Sequence, residues 1–394
     1  MTDADLIQAV LQYAAAEPYS SPGVEALFAL ARILEAEPEL AGAGLLIPTV
    51  TGWFGFSAQA AAQRMIHITR QTNPETAVAW LRKVLAVREI TIAAVKGLYG
   101  IKCSSRIQIS DRIVLLPFVD LPQSETRDWI QQEHDAANER GGGLHGIKAP
   151  PTAALLHGGG VSPLFIDRRT QQSRSIASPM IAWFGELDEV ALLLALTPNA
   201  IPVEVAHWLH SDDPDVSMVI NGSVARISRL DLHSPQHHFP PDVTAESMNG
   251  LLPAFQTFNK RDKPRFTLAV ERLVRSRCQQ IPGNRAIDLA IALEVIFMGN
   301  HQGEHSYKIS LRAARLLRDT VEARRAVFTQ VQRVYELRST MVHSGIGSDT
   351  YNVNTVPRTA TDLVESVDVH CTEALRKILN LGAIPEDWRD IELS

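Results

Sequence analysis

VEARRAVFTQVQRVYELRSTMVHSG, residues 321–345, is the stretch from which the fold of this chain can be argued. At 100° per residue its apolar side chains fall on one stripe of a helix, and a glycine follows as a stop. The stripe consists of Phe328, Val331, Val334, Tyr335, Met341 and Val342. Arg338 lies in the middle of this stripe, whereas Glu336 lies on the opposite side. Because a buried guanidinium is costly unless it is paired and hydrogen-bonded, the pattern predicts a helix with a polar site on its buried face.

A second helix repeats the anomaly. Around Ile287 the apolar stripe of residues 284–298 includes Glu294. One interpretation is a structural Glu294–Arg338 ion pair across the bundle, or an arginine that extends to the surface. The other is an open polar site in which Glu294 orients Arg338. His343 lies where the helix ends, so we expect it to project near the same face as Arg338.

Further amphipathic stretches surround these two. Together they predict five helices, near residues 265–279, 284–298, 306–318, 321–342 and 359–381. Glycines lie between or after them, as is typical of helix ends. Residues 263–394 are therefore predicted to form a helical bundle that buries one stripe per helix.

The preceding chain is of two kinds. Residues 1–98 have helical spacing, with Asn73 and Pro74 as an N-cap and a first helical position. Residues 99–262 are mixed: IKCSSRIQIS, RIVLLPFVDL and VSMVINGSVARI are strand-like, and ERGGGLHGIKAPP and LLHGGGVSP resemble glycine-rich loops. We expect an α+β protein, mostly α, with a helical N-terminal region, a mixed α/β middle domain and the C-terminal bundle.

Charge is distributed unevenly along the chain. The net charge is −6, but residues 263–394 hold 18 Lys and Arg against 16 Asp and Glu, so the rest of the chain carries −8. Residues 265–340 hold 13 basic and 7 acidic residues. A locally basic face suits a polyanion, although a solvated helix surface has the same composition.

Cysteine usage and hydropathy suggest the compartment. Three widely spaced cysteines favour neither a disulfide framework nor a cysteine zinc site. The N-terminus has no basic region before an apolar run, and no stretch approaches 18 apolar residues. We expect a cytoplasmic protein with no membrane segment.

The stretch YELRSTMVHSG, residues 335–345, resembles the Arg-x4–6-His signature of the HEPN superfamily, in particular its Apea-like branch. Upstream, RAIDLAIALEVIF and EHSYKISLRAARLL resemble the two preceding helices of that branch. The spacing occurs four times, at Arg127/His134, Arg140/His145, Arg226/His233 and Arg338/His343. Only the last pair lies at the end of an amphipathic helix within a bundle. Ser339 departs from the family, since many members carry Asn, Asp or His after the arginine.

This resemblance implies a metal-independent endoribonuclease without a cofactor. Arg338 and His343 would be catalytic, supported by Glu294, Tyr335 and Ser339, in a composite site of a homodimer. Histidine can move a proton near neutral pH and arginine can stabilise the phosphorane charge, which implies RNA ends with a 2′,3′-cyclic phosphate. A bacterial toxin or anti-phage defence role is also implied. The alternative is a non-catalytic HEPN module that binds RNA, a nucleotide or a partner protein.

Three further motifs are typical of other functions. His301-Gln-Gly-Glu304-His305 matches an inverted zinc-peptidase motif and would indicate a zinc hydrolase, but its glycines predict a loop between helices. LLHGGGVSP resembles an esterase oxyanion loop, yet no Gly-x-Ser-x-Gly occurs, so a turn is predicted. Asp231, His233, His237 and His238 could gather a metal, but lie in a proline-rich stretch that predicts a surface loop.

Overall fold

The computed structural model describes residues 2–15, 21–41, 45–49, 52–140, 150–167, 179–220, 226–227, 239–298, 305–345 and 347–393. Within them the protein is α+β with helix predominating, as predicted. No helix in these ranges is both long and apolar enough to cross a membrane.

The N-terminal region contains four helices and a hairpin that share one hydrophobic core. The elements are α1 (Asp3–Ala14), α2 (Ser21–Leu34), β1 (Leu45–Thr49), β2 (Gly52–Phe56), α3 (Ala58–Gln71) and α4 (Pro74–Ala86). Asn73 caps α4 through a bond from Thr76 N to its side chain, with Pro74 first in the helix, as predicted. The hairpin was not predicted, so the purely helical assignment of residues 1–98 is wrong. Its first strand buries Leu45 and Ile47, two residues apart, which is the period of a strand.

An antiparallel six-stranded sheet forms the middle of the molecule, in the order β4-β5-β6-β3-β8-β9. Its strands are β3 (Ile90–Tyr99), β4 (Ile107–Gln108), β5 (Ile113–Pro117), β6 (Ala153–Val161), β8 (Val203–His210) and β9 (Arg226–Ile227). β7 (Ile166–Asp167) joins the N-terminal hairpin instead. The helices are α5 (Glu125–Arg140), α6 (Pro179–Leu194), α7 (Pro214–Ile220), α8 (Ala245–Met248) and α9 (Leu251–Gln256). The central strand, β3, begins before residue 99, where the middle domain was predicted to start.

The glycine-rich stretch LLHGGGVSP is not a turn: most of it belongs to strand β6. The His157 ring stacks on the Trp183 indole of α6, with 5.0 Å between ring centroids. A Cβ at Gly159 would lie 2.4 Å from that indole, so the glycine allows the helix to approach the sheet. VSMVINGSVARI also differs from its strand-like prediction, because α7 covers its first residues.

The C-terminal bundle matches its prediction closely. Its helices are α10 (Asp262–Cys278), α11 (Pro282–Phe297), α12 (His305–Leu317), α13 (Val321–Ser344), α14 (Ala360–Leu381) and the short α15 (Arg389–Leu393). The hairpin of β10 (Thr350–Val353) and β11 (Val356–Thr359) was missed. Its turn residues Asn354 and Thr355 adopt positive φ angles of 49° and 71° without a glycine, so the usual hairpin sequence was absent.

Buried contacts join the bundle to the middle of the chain. One continuous hydrophobic core includes residues from both. Arg277 is 8% exposed and forms a bidentate pair with Asp368, at 2.8 and 3.0 Å. Its guanidinium also donates to the carbonyls of Ala195 and Ala200, beyond α6. The division into three domains stays a prediction.

Candidate active site

The predicted site lies between α11 and α13, which run antiparallel. Met341 contacts Gly283 so closely that a Cβ there would lie 2.7 Å from the methionine sulfur. About seven residues further along α11, the Tyr335 hydroxyl donates to the carbonyl oxygen of Ala290 at 3.0 Å. These two contacts set the register of the two helices. They therefore fix the position of each site residue along the helix axes.

Tyr335 is the buried centre of the site. It is 7% exposed. Burial raises the pKa of its phenol well above the usual range, and the nearby Glu294 carboxylate raises it further. Arg338 acts in the opposite direction on the same pKa. The phenol therefore stays protonated at neutral pH, with Glu294 and Arg338 both close enough to influence it.

The Glu294–Arg338 ion pair is not formed, which corrects the pairing of these two residues expected from the sequence. Among the described residues no carboxylate lies within 4.0 Å of the Arg338 guanidinium. Because the helices are antiparallel, Glu294 lies one turn beyond Ala290 in the direction of the start of α13. Arg338 lies nearly one turn beyond Tyr335 in the opposite direction. Their backbones are thus separated by about 10 Å along the helix axes. Glu294 accompanies Tyr335 instead of orienting the arginine.

Arg338 is half-buried and lacks a partner in the described part of the chain. Its Nε is buried with no hydrogen bond, and no described group bonds its terminal nitrogens. The buried Nε is an unsatisfied donor, which is costly, whereas the terminal nitrogens are open to water or to an anion. Those terminal nitrogens are the part of Arg338 that a phosphate or carboxylate from outside the chain would bind.

His343 does not share a face with Arg338, contrary to expectation. α13 remains helical to Ser344, and Gly345 caps it with a φ of 71°. Five residues along a helix correspond to about 140° of rotation and a Cα separation of about 9 Å. His343 is exposed in the last turn, as is Ser339. A single chain thus presents an arginine and a histidine in different directions.

The described residues of the competing motifs do not form a metal site or a second catalytic site. His305 is the exposed first residue of α12, and residues 301–304 lie outside the described ranges. Asp231, His233, His237 and His238 also lie outside them. No group of three or more His, Cys, Asp or Glu suited to a metal occurs in the part of the chain that is described. The Arg127 guanidinium donates to the carbonyls of Val119 and Leu121, which gives it a structural role.

Sequence reasoning missed two arginines of the bundle. Arg285, in the first turn of α11, is half-buried with its Nε unbonded, and Arg358 of β11 is exposed. Both line one groove with the buried Arg277. An arginine in the first turn of a helix meets the positive end of the helix dipole, and that sequence feature could have drawn attention to Arg285.

Comparison with known proteins places this chain in no family. No protein-family model matches it, and no match was found among curated proteins or solved structures. The HEPN resemblance therefore stays a prediction, based on the residues quoted above and on their place in the bundle.

Proposed function

We propose that the C-terminal bundle is a metal-independent endoribonuclease of the HEPN type. The observation that carries the proposal is the half-buried Arg338, which has no described partner and lies on the same helix as the exposed His343. Guanidinium binds phosphate bidentately and stays charged, so this position suits an RNA backbone.

The two residue types match the needs of RNA cleavage. The 2′-oxygen attacks phosphorus, the bond from phosphorus to the 5′-oxygen breaks, and the product ends in a 2′,3′-cyclic phosphate. One group takes the 2′-hydroxyl proton and another gives a proton to the leaving 5′-oxygen, work that histidine can do near neutral pH. Arg338 would stabilise the negative charge that gathers on the phosphoryl oxygens.

A second copy of the chain would complete the site. One chain offers a single histidine at the end of α13, turned away from Arg338, so acid and base cannot both come from it. Apolar residues near the Gly283–Met341 contact support a self-contact: Ile281 is 54% exposed and Val342 is 56% exposed. A C2 dimer through this end would bring two copies of His343 and Arg338 together.

A non-catalytic module that binds RNA, a nucleotide or a partner protein is the second candidate. It is favoured because Arg338 and His343 point in different directions within one chain. Binding of a phosphate needs only the arginine. A defence role stays a prediction of the resemblance.

Cleavage of labelled single-stranded RNA in EDTA tests the enzyme. Arg338→Ala and His343→Ala should each abolish product, and wild-type product should carry the cyclic phosphate. Arg325→Ala is the matched control, because Arg325 is exposed near the far end of the same helix. Equal cleavage by all four proteins would refute the enzyme, whereas binding without any cleavage would favour the module.

A further inference from the structure

A groove of about 660 Å³ lies beside the predicted site but is separate from it. It opens between the start of α11, the first half of α14 and the segment that follows α6. Arg338, His343, Glu294, Tyr335 and Ser339 do not line it. Its size lies within the range of small-molecule sites, which is about 300–1,000 Å³.

Two arginines of the groove lack acidic partners. Arg277 is neutralised by Asp368, but neither Arg285 nor Arg358 has a carboxylate within 4.0 Å among the described residues. The Arg285 Nε is buried with no hydrogen bond. A cation in the first turn of a helix is also disfavoured by the helix dipole. Neither guanidinium is paired by a carboxylate of the described chain, so both have nitrogens available to an anionic group of a ligand.

Carboxylates line the same groove, so a ligand there also meets hydrogen-bond acceptors. Asp362 is engaged at the start of α14, where it accepts a bond from Thr359 N. Glu365, one turn further along, is exposed and has no described ion pair. A free carboxylate accepts hydrogen bonds from hydroxyl groups. The ligand should therefore combine an anion with hydroxyl donors.

An apolar rim completes the groove. Phe239 is 93% exposed and Val369 is 44% exposed, and both line it. Exposed aromatic rings on a charged surface offer a stacking face to nucleobases, which all present a flat π surface.

We propose that this groove binds a ribonucleotide unit. Arg285 and Arg358 take its phosphate, Glu365 accepts from its ribose hydroxyls, and Phe239 stacks on its base. The same chemistry occurs in a free ribonucleotide and in one residue of an RNA strand. The site is independent of the proposed function, since it uses neither Arg338 nor His343 and would remain if the bundle did not cleave RNA.

Equilibrium binding to the full chain tests the site. Every protein carries His343→Ala, so that cleavage cannot distort binding. The probes are a short fluorescent single-stranded RNA, the DNA of the same sequence, and AMP as competitor and as calorimetric ligand. RNA should bind more tightly than DNA, and Arg358→Gln should weaken binding about tenfold or more, the usual effect of losing a charged hydrogen bond. Glu365→Gln should reduce the preference for RNA over DNA.

Arg325→Gln is the matched control and should bind like the parent. Arg358 lies exposed on a hairpin, so its variant should fold, which circular dichroism checks. Binding of RNA without AMP would identify a strand as the source of the ribonucleotide, and binding of AMP without RNA a free nucleotide; both support the site. Failure of both probes to bind, or equal binding by Arg358→Gln and Arg325→Gln, would overturn it. Retained binding with no wild-type cleavage would refute only the ribonuclease.

Discussion

Acid should destabilise the bundle through one buried histidine, His370 of α14. It is 8% exposed, and its Nε2 lies 2.7 Å from the Gln330 side-chain oxygen. Burial, and then the charge of Arg318, lowers its pKa from 6.5 to about 4, although Glu373 acts the other way. The unfolded chain therefore binds a proton at a higher pH than the folded chain does. Stability is fully present above about pH 6.5 and declines as pH falls towards about 4.

The size of the effect follows from these two values. Between about pH 7 and about pH 5 the unfolded state gains about 0.7 of a proton at this site, whereas the folded state gains little. Linkage then gives a loss of about 2 kcal/mol in the free energy of unfolding. Groups such as Glu204, whose pKa is lowered from 4.5 to about 2, titrate chiefly below this window.

Urea denaturation at several pH values measures this loss. The chain has six tryptophans, so intrinsic fluorescence reports unfolding of the whole protein. Trp388, which packs on Phe297 with 5.0 Å between ring centroids, contributes the signal from the bundle. His370→Gln keeps a polar amide beside Gln330 but cannot titrate, so it should lose about 2 kcal/mol less than wild type over the same pH range. Equal pH dependence in the two proteins would show that His370 is not the group responsible.

Three further outcomes are expected. Arg277→Ala leaves the buried Asp368 carboxylate unpaired and removes a donor from three backbone carbonyls. It should lower the free energy of unfolding by about 3–5 kcal/mol, against at most about 0.5 kcal/mol for the exposed Arg325→Ala. A loss below about 1 kcal/mol in urea denaturation would contradict the buried pair. Gly159→Ala forces a Cβ into the Trp183 ring and should lower the free energy of unfolding by about 1–3 kcal/mol. Gly158→Ala is the control, because a Cβ there meets open space, and it should cost much less. Equal melting temperatures of the two variants would disprove the packing role. Specific ribonuclease activity should fall on dilution as dimers dissociate. The measurement is the cleavage rate per chain against protein concentration. A constant rate in a protein shown to be monomeric would exclude a composite site.

The bundle was predictable because the signals that start, orient and end its helices are local in sequence. In α13 the apolar stripe, the capping Thr320 and the final Gly345 are all local in sequence, and each appears in the structure. The β10–β11 hairpin was not predictable in this way. Its turn at Asn354 and Thr355 has no glycine, and the hairpin is held by α13, as in the bond from Arg333 Nε to the Asn352 carbonyl at 3.0 Å.

Periodicity predicted which side chains of α13 are buried better than it predicted how they meet α11. Helical periodicity placed Arg338 and Tyr335 on the face towards α11, and both are partly or fully buried there. It could not give the register of α13 against α11, so Glu294 was assigned to the arginine when it lies beside the tyrosine. Nor could it tell that α13 continues past His343 and turns that side chain away.

By itself, then, the sequence determined the helices of the bundle and the anomalous positions of Arg338 and Glu294, since helix propensity and periodicity act within a few residues. The tertiary structure alone decided which charges pair. Arg277, unremarkable in sequence, holds Asp368, which is 91 residues away in the chain, whereas Arg285, Arg338 and Arg358 have no described carboxylate partner. The energy of a charge depends on its distance from the opposite charge and on the loss of surrounding water, and both are set only when the helices pack.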